Sequence, residues 1–155
     1  HFDAHADLRD DYLGVKLSHA CVLRRCHELV GDGHIWQFGI RSGDREEFLW
    51  GKEHVFTRKF DFQGLDETVK KLAGKPVYLT LDLDVLDPSV FPGTGTPEAG
   101  GVTFMELWNA LRLATRCKIV GMDMNELSPA YDASGSSTAT ACKLLRELLL
   151  FVGGK

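Results

Sequence analysis

Short runs of β-branched and aromatic residues alternate along this chain with segments in which apolar residues recur at helical spacing. The predicted strands are residues 34–40, 54–60, 76–84 and 118–124. The predicted helices are residues 17–30, 64–74, 103–115 and 137–152. Strands that alternate with helices in this way form a parallel sheet with helices on both faces. We therefore predict an α/β fold, in which the opening HFDAH ends one further strand.

The length of the chain fits one domain. Its 155 residues show no repeat, linker or low-complexity stretch, so we predict a single domain over residues 1–155. The chain begins without a methionine, directly on the acid- and histidine-rich run HFDAHADLRD. We therefore expect the N-terminal part of the domain to be missing.

Composition excludes several classes of function. The chain has 18 basic and 22 acidic residues, a net charge of -4, and no Lys/Arg block longer than a pair, so nucleic-acid binding is not expected. No apolar run reaches the ~18 residues of a membrane span. The four cysteines form no C-x-x-C motif, and we interpret them as reduced thiols of a cytoplasmic protein.

Acidic residues follow three of the predicted strands. Asp82 and Asp84 end the apolar run VYLTLDLD, Asp3, His5 and Asp7 end the first strand, and Asp123 and Glu126 follow KIVGM. The carboxyl ends of parallel strands meet at one edge of a sheet, where ligands bind. We therefore expect these side chains to lie close together.

Converging carboxylates repel one another unless cations lie between them. Asp82 and Asp84 are two residues apart, so on an extended backbone both point the same way. A pair of divalent cations would remove the repulsion, and carboxylate plus imidazole ligands suit manganese better than calcium, with zinc as an alternative. Such a pair can hold a bridging hydroxide for attack on carbon or phosphorus.

Three motifs resemble the signatures of the ureohydrolase family, the arginases and agmatinases. They are DAHAD, DLDVLDP followed by PGTGTPEAGG, and GMDMNELSPAYD, and together they extend over almost the whole chain. The last motif is most similar to the agmatinase versions, and the match is to the C-terminal part of the family's domain. The resemblance implies an arginase-like three-layer α/β/α fold, two manganese ions per active site and a homo-oligomer, a trimer or hexamer.

The resemblance also implies a role for each site residue. Glu126 would hold the substrate guanidinium, His19 would move a proton to the leaving amine, and Thr96 would help to orient the substrate. The family's further histidine ligand comes from a segment upstream of DAH, and we assign His1 to the strand body without a partner. The implied metal ligands are Asp3, His5, Asp7, Asp82 and Asp84.

The function implied is hydrolysis of a small cationic guanidino compound. Agmatine would give putrescine and urea, a step of polyamine biosynthesis, when a metal-bridging hydroxide attacks the guanidinium carbon. We expect the chain by itself to be weakly active or inactive, because one metal ligand lies upstream of it.

Other interpretations stay open at this point. Arginine or guanidinobutyrate are alternative substrates. VYLTLDLDVLDP is also similar to the signature of haloacid-dehalogenase-type phosphatases, in which Asp82 would be a nucleophile and Asp84 a general acid beside one magnesium ion. A metal-dependent deacetylase and a non-catalytic metal-binding subunit are further alternatives. Glu126 argues against the deacetylase, because an amide has no cation at its reacting end.

Overall fold

The structure is a computed structural model and describes residues 1–154. Its strands are β1 (Trp36–Ile40), β2 (Phe56–Lys59), β3 (Pro76–Asp82) and β4 (Lys118–Asn125). Its helices are α1 (Val22–Val30), α2 (Arg45–His54), α3 (Leu65–Lys71), α4 (Phe104–Ala114) and α5 (Ser136–Gly153). Short 3-10 turns lie at His19–Cys21, Leu83–Val85 and Pro129–Tyr131.

The predicted parallel sheet is confirmed. β1 pairs in parallel with β2, and β3 pairs in parallel with β4. Phe2 forms parallel bridges to Phe38 in β1 and to Leu81 in β3. The first residues of the chain therefore lie between the two pairs, in the order β2, β1, Phe2, β3, β4, and the carboxyl ends of all these segments share one edge.

Helices cover both faces of the sheet. The larger apolar core lies against α3, α4 and α5, where Leu107, Leu111 and Leu144 are completely buried. The smaller core lies on the other face and includes Leu23 of α1 and Phe48 of α2. Full burial of one such side chain contributes about 1.5–3 kcal/mol, so both layers stabilise the sheet.

A bulge in β1 allows one strand to contribute to both cores. Phe38 belongs to the larger core and Ile40 to the smaller, although an undisturbed strand would place them on the same face. Gly39 has φ +89° between them, where the register to β2 shifts. A Cβ at Gly39 would lie 2.5 Å from Val85 and 3.0 Å from the Asp3 carbonyl oxygen, so only glycine fits.

The sequence pattern missed one helix. Residues 45–54 form α2, which begins with a capping box: the Asp44 side chain accepts from the Glu47 amide, and Glu47 accepts from the Asp44 amide. The following strand consequently starts at Phe56 and not at residue 54. The strand predicted over 76–84 ends at Asp82, because residues 83–85 turn.

No helix in the described part of the chain combines the length and apolar character that crossing a membrane requires. The cysteines Cys21, Cys26, Cys117 and Cys142 form no disulfide.

Candidate metal centre

A cavity of about 500 Å³ opens at the carboxyl edge of the sheet. The segment after Phe2, the end of β3, the residue after β4 and the loop after Pro92 all reach it, because parallel strands deliver their carboxyl ends to one edge. The residues with an implied role all line this cavity: Asp3, His5, Asp7, His19, Asp82, Asp84, Thr96 and Glu126. Asp123, which was also expected at this edge, does not line it and accepts hydrogen bonds from Thr80 and Asn125 instead.

Asp3 is at the centre of the acidic side chains. It is completely buried, and its Oδ1 accepts a hydrogen bond from the His5 amide at 2.7 Å. Two groups of potential ligand atoms, each within 4.8 Å of one another, include it. The first group is His1, Asp3, Asp7 and Asp82, and the second is Asp3, His5 and Asp84. One carboxylate is thus available to both groups.

His1 has a partner that sequence reasoning missed. Its side chain is only 2% exposed, and its Nε2 lies 2.8 Å from Asp3 Oδ2. Its Nδ1 lies 3.0 Å from Gln37 Nε2, which also donates to the Ala6 carbonyl oxygen. The expectation that His1 has no partner is therefore wrong. A signal was available in the two-residue spacing from His1 to Asp3, which places both side chains on one face of an extended segment.

Asp84 reaches the cluster from a turn and not from an extended strand. The 3-10 turn after β3 buries its carboxylate, whose Oδ1 accepts from the Ala4 amide at 3.3 Å. Its Oδ2 lies 3.2 Å from His5 Nδ1. Asp82 instead joins the first group and accepts from Asn125 Nδ2. The turn therefore sends the two aspartates to different groups, although the sequence predicted that they point the same way.

The crowding of carboxylates perturbs their pKa values strongly. Burial, reinforced by the charge of Asp3, raises the pKa of Asp7 to about 8 and that of Asp82 to about 7. Burial also raises the pKa of Asp84 to about 6, although the hydrogen bond with His5 opposes this. Hydrogen bonds to Asp3 and Asp84 raise the pKa of His5 to about 10. At neutral pH these carboxyl groups are therefore not all ionised together unless positive charge is added.

The donor atoms fit divalent cations. Asp3 Oδ2 and Asp84 Oδ2 are buried, and the groups that approach them are His1 Nε2 at 2.8 Å and His5 Nδ1 at 3.2 Å. Carboxylates buried in this way need a cation beside them, either a protonated imidazole or a bound metal ion. The set combines carboxylate oxygens with imidazole nitrogens, which suits manganese and also zinc.

The remaining predicted residues surround this cluster. His19 is exposed, begins the 3-10 turn before α1 and packs edge-on against Tyr12 at 5.4 Å. Thr96 is exposed in the loop after Pro92. Glu126 is half-buried directly after β4 with φ +67°, and Asp7 has φ +55°. Non-glycine residues in this region are strained, and such strain is concentrated at functional sites.

Arg41 supports the site and was not predicted. Its guanidinium donates to five backbone carbonyl oxygens, of which Asp84 at 2.6 Å and Glu98 at 2.8 Å are the nearest. The others are Gly39, Val85 and Leu86. Arg41 thereby connects the end of β1 to the turn that carries Asp84 and to the PGTGTPEAGG loop. A single arginine in RSGD gave no sequence signal for this role.

Asp87 is positioned to shape the same loop. Its Oδ1 accepts from the amide and hydroxyl of Ser89, and its Oδ2 accepts from the amides of Gly100 and Gly101. These bonds lower the pKa of Asp87 to about 2. Asp87 therefore shapes this loop and belongs to neither of the two ligand groups.

Comparison with known proteins decides the family. The model of the Arginase family matches residues 1–151. The chain belongs to the arginase family. It is 48% identical over 154 residues to an agmatinase of Bacillus subtilis, which covers 97% of the chain and 53% of the relative. A guanidinobutyrase of Pseudomonas aeruginosa is 34% identical, with 99% of the chain and 52% of the relative covered.

A solved structure agrees with this membership of the arginase family. A Clostridium difficile protein with a provisional agmatinase assignment superimposes with a TM-score of 0.95 at 50% identity, covering 99% of this chain and 57% of that one. The chain spans about half the length of the curated relatives it matches. The arginase-like α/β fold is therefore confirmed, and the match favours the ureohydrolase interpretation over the phosphatase.

Proposed function

We propose that this chain carries the catalytic residues of a manganese-dependent ureohydrolase that converts agmatine to putrescine and urea. One observation carries the proposal: two ligand groups share the buried Asp3 inside a cavity that also contains Glu126 and His19. Relatives 46–48% identical to the chain are agmatinases, which favours agmatine. Arginine and guanidinobutyrate are the alternative substrates, since a guanidinobutyrase is also a relative.

The two ligand groups would each hold one manganese ion. His1, Asp3, Asp7 and Asp82 would hold the first, and Asp3, His5 and Asp84 would hold the second, so Asp3 belongs to both groups. When bound, the ions supply Lewis acidity and an activated water.

Three further side chains would bind the substrate or transfer a proton. The Glu126 carboxylate faces the cavity and would accept two hydrogen bonds from the planar guanidinium, the geometry that a carboxylate recognises best. His19 is exposed at the cavity and would transfer a proton to the leaving amine, a step that suits an imidazole with access to solvent. The Thr96 hydroxyl would orient the substrate from the opposite loop.

The properties of the whole protein follow from the same proposal. We propose a single domain over residues 1–155 that is part of a cytoplasmic homo-oligomer, a trimer or hexamer. We expect the 155-residue chain to be weakly active or inactive, and a longer protein that contains it to release urea at much higher rates. Urea release by the 155-residue chain at the rate of the longer protein would contradict this expectation.

Metal binding and urea release test the proposal separately. Equilibrium dialysis of the purified chain against MnCl₂ should show bound manganese, and Asp84→Asn should weaken it by more than about 10-fold, because it removes a direct ligand. Asp66→Asn changes an exposed acid on α3; it is the matched control and should leave manganese binding unchanged. If the chain binds no manganese, or if both variants behave alike, the assigned metal centre is wrong.

The substrate roles require the longer protein. Glu126→Gln should reduce kcat/KM for agmatine by about 100-fold or more, because the charge-assisted pair with the guanidinium is lost, while manganese content is unchanged. Glu67→Gln, an exposed change on α3, should have no effect. Urea release is then compared for agmatine, arginine and guanidinobutyrate at equal concentrations. His19→Asn with unchanged turnover at every pH would remove the proton-transfer role.

A further inference from the structure

A second cluster of ligand-type side chains lies at the opposite edge of the sheet. His27 is in the last turn of α1, Asp32 is in the connection to β1, and His54 ends α2 just before β2. Helices that connect parallel strands end near the amino ends of the strands that follow them. The cluster therefore lies at the amino edge, whereas the metal centre described above lies at the carboxyl edge.

Both imidazoles converge on a single carboxylate oxygen. His27 Nε2 lies 2.7 Å from Asp32 Oδ1, and His54 Nδ1 lies 2.6 Å from the same atom. The three ligand atoms are all within 4.8 Å of one another. The two histidine side chains are 16% and 28% exposed, and Asp32 is 68% exposed. The two imidazoles are thus mostly buried, while the carboxylate is open to water.

Trp50 fixes the orientation of both imidazole rings. Its indole stacks on His54 with centroids 4.2 Å apart, and it meets His27 edge-on at 4.7 Å. The Arg24 guanidinium covers Trp50 at 3.9 Å. Rings that are packed in this way lose little conformational entropy when they bind a ligand, so the cluster is preorganised.

We propose that His27, Asp32 and His54 form a zinc-binding site separate from the catalytic metal centre. Two imidazoles and one carboxylate, with an open fourth position for water, are a usual zinc set. In a tetrahedral site with Zn–N bonds of about 2.0–2.1 Å, neighbouring ligand atoms lie about 3.3 Å apart, so each histidine nitrogen needs to move away from Asp32 Oδ1 by less than about 1 Å. Both histidines are in the last turns of helices, where the helix dipole favours a cation.

The chemistry of the two edges favours different metals. The carboxyl-edge groups are dominated by carboxylates, whereas this cluster is dominated by imidazole, which suits zinc, copper and nickel. Manganese binds most nitrogen-containing sites weakly compared with zinc. A bound zinc ion would connect α1, the following loop and α2 and would thereby stabilise the helical layer on this face. Simple hydrogen bonding of two histidines to Asp32 is the rival explanation, and it predicts no metal.

Zinc stoichiometry tests the site. The purified chain is dialysed against ZnCl₂, and bound zinc is counted for the parent, Asp32→Asn, His27→Gln and His54→Gln. Each of the three variants should bind one zinc ion fewer per chain than the parent. Zinc affinity at this site should fall by more than about 100-fold, because removing a direct ligand weakens metal binding more than removing a residue that only hydrogen-bonds to a ligand. His34→Gln, an exposed histidine in the same connection, is the matched control and should bind as the parent does.

Two further measurements keep the result unambiguous. Asp84→Asn removes a ligand at the other edge and should leave this zinc ion in place, so the two sites are counted independently. Circular dichroism checks that each variant is folded, because His27 and His54 also pack against Trp50. If a histidine variant does not fold, the zinc content of Asp32→Asn, a change at an exposed residue, decides the test. Anomalous scattering at the zinc edge from crystals grown with ZnCl₂ should place zinc between the three residues. Equal zinc content in the parent and Asp32→Asn would overturn the proposal.

Discussion

Replacing Arg41 should destabilise the chain far more than its position after a strand suggests. The guanidinium donates six hydrogen bonds to five carbonyl oxygens, from Gly39 to Glu98. Lysine keeps the charge but offers one nitrogen with three donors, so it cannot reach carbonyls on β1, the turn after β3 and the loop at once. Arg41→Lys should therefore lower the free energy of unfolding almost as much as Arg41→Met does.

The magnitude follows from the two shortest bonds. Those to Asp84 and Glu98, at 2.6 and 2.8 Å, contribute about 1.5 kcal/mol each when a charged donor is involved, while the four longer bonds share donors and add little. Arg41→Met should thus lower the free energy of unfolding by about 3 kcal/mol. For a chain of this size that corresponds to a fall of about 6–12 °C in Tm.

Urea unfolding followed by circular dichroism measures this difference. Arg45→Lys, an exposed change at the start of α2, is the matched control and should stay within about 0.5 kcal/mol of the parent. Manganese affinity should fall as well in Arg41→Lys, because Arg41 holds the backbone of Asp84. Arg41→Lys within 0.5 kcal/mol of the parent would refute the reasoning, since one or two carbonyl contacts would then be sufficient.

Further predictions concern the loops around the site. Gly39→Ala should lower the free energy of unfolding by about 3 kcal/mol or more, because its Cβ would overlap Val85, whereas Gly33→Ala, with positive φ but nothing within 4 Å, should cost only about 1–2 kcal/mol. Asp87→Asn should cost about 1–2 kcal/mol in urea unfolding, since an amide nitrogen cannot accept from the two glycine amides. The pKa of Asp87 is lower in the folded chain, so its contribution is complete above pH ~4 and should disappear between pH ~4 and ~2, which Asp87→Asn should not show.

The parts of the fold that the sequence predicted depend on local patterns. Alternating apolar runs and helical spacings predict a parallel sheet, and the parallel sheet alone brings Asp3, Asp82 and Glu126 to one edge. Their convergence needs no knowledge of side-chain packing. This is why all eight expected site residues line one cavity even though several element boundaries were misplaced.

The parts that were not predicted depend on tertiary contacts. The helix over residues 45–54 has a mixed pattern, and Glu47 is buried because its carboxylate accepts from the Leu8 amide on another segment. His27 and His54 are paired only because two helices end at the same edge. Arg41 binds backbone carbonyls, which any sequence provides. None of these contacts has a fixed spacing along the chain.

The electrostatics of the carboxyl edge point to metal ions for a structural reason. Phe2 bridges both strand pairs, so Asp3 follows it at the centre of the edge, with Asp84 on one side and Arg41 on the other. The nearby guanidinium donates to carbonyl oxygens and makes no ion pair with either carboxylate in the described residues. Histidines His1 and His5 balance only part of the charge, since the pKa values of Asp7 and Asp82 remain raised. The fold thus concentrates negative charge around Asp3, and a pair of divalent cations is what would neutralise it.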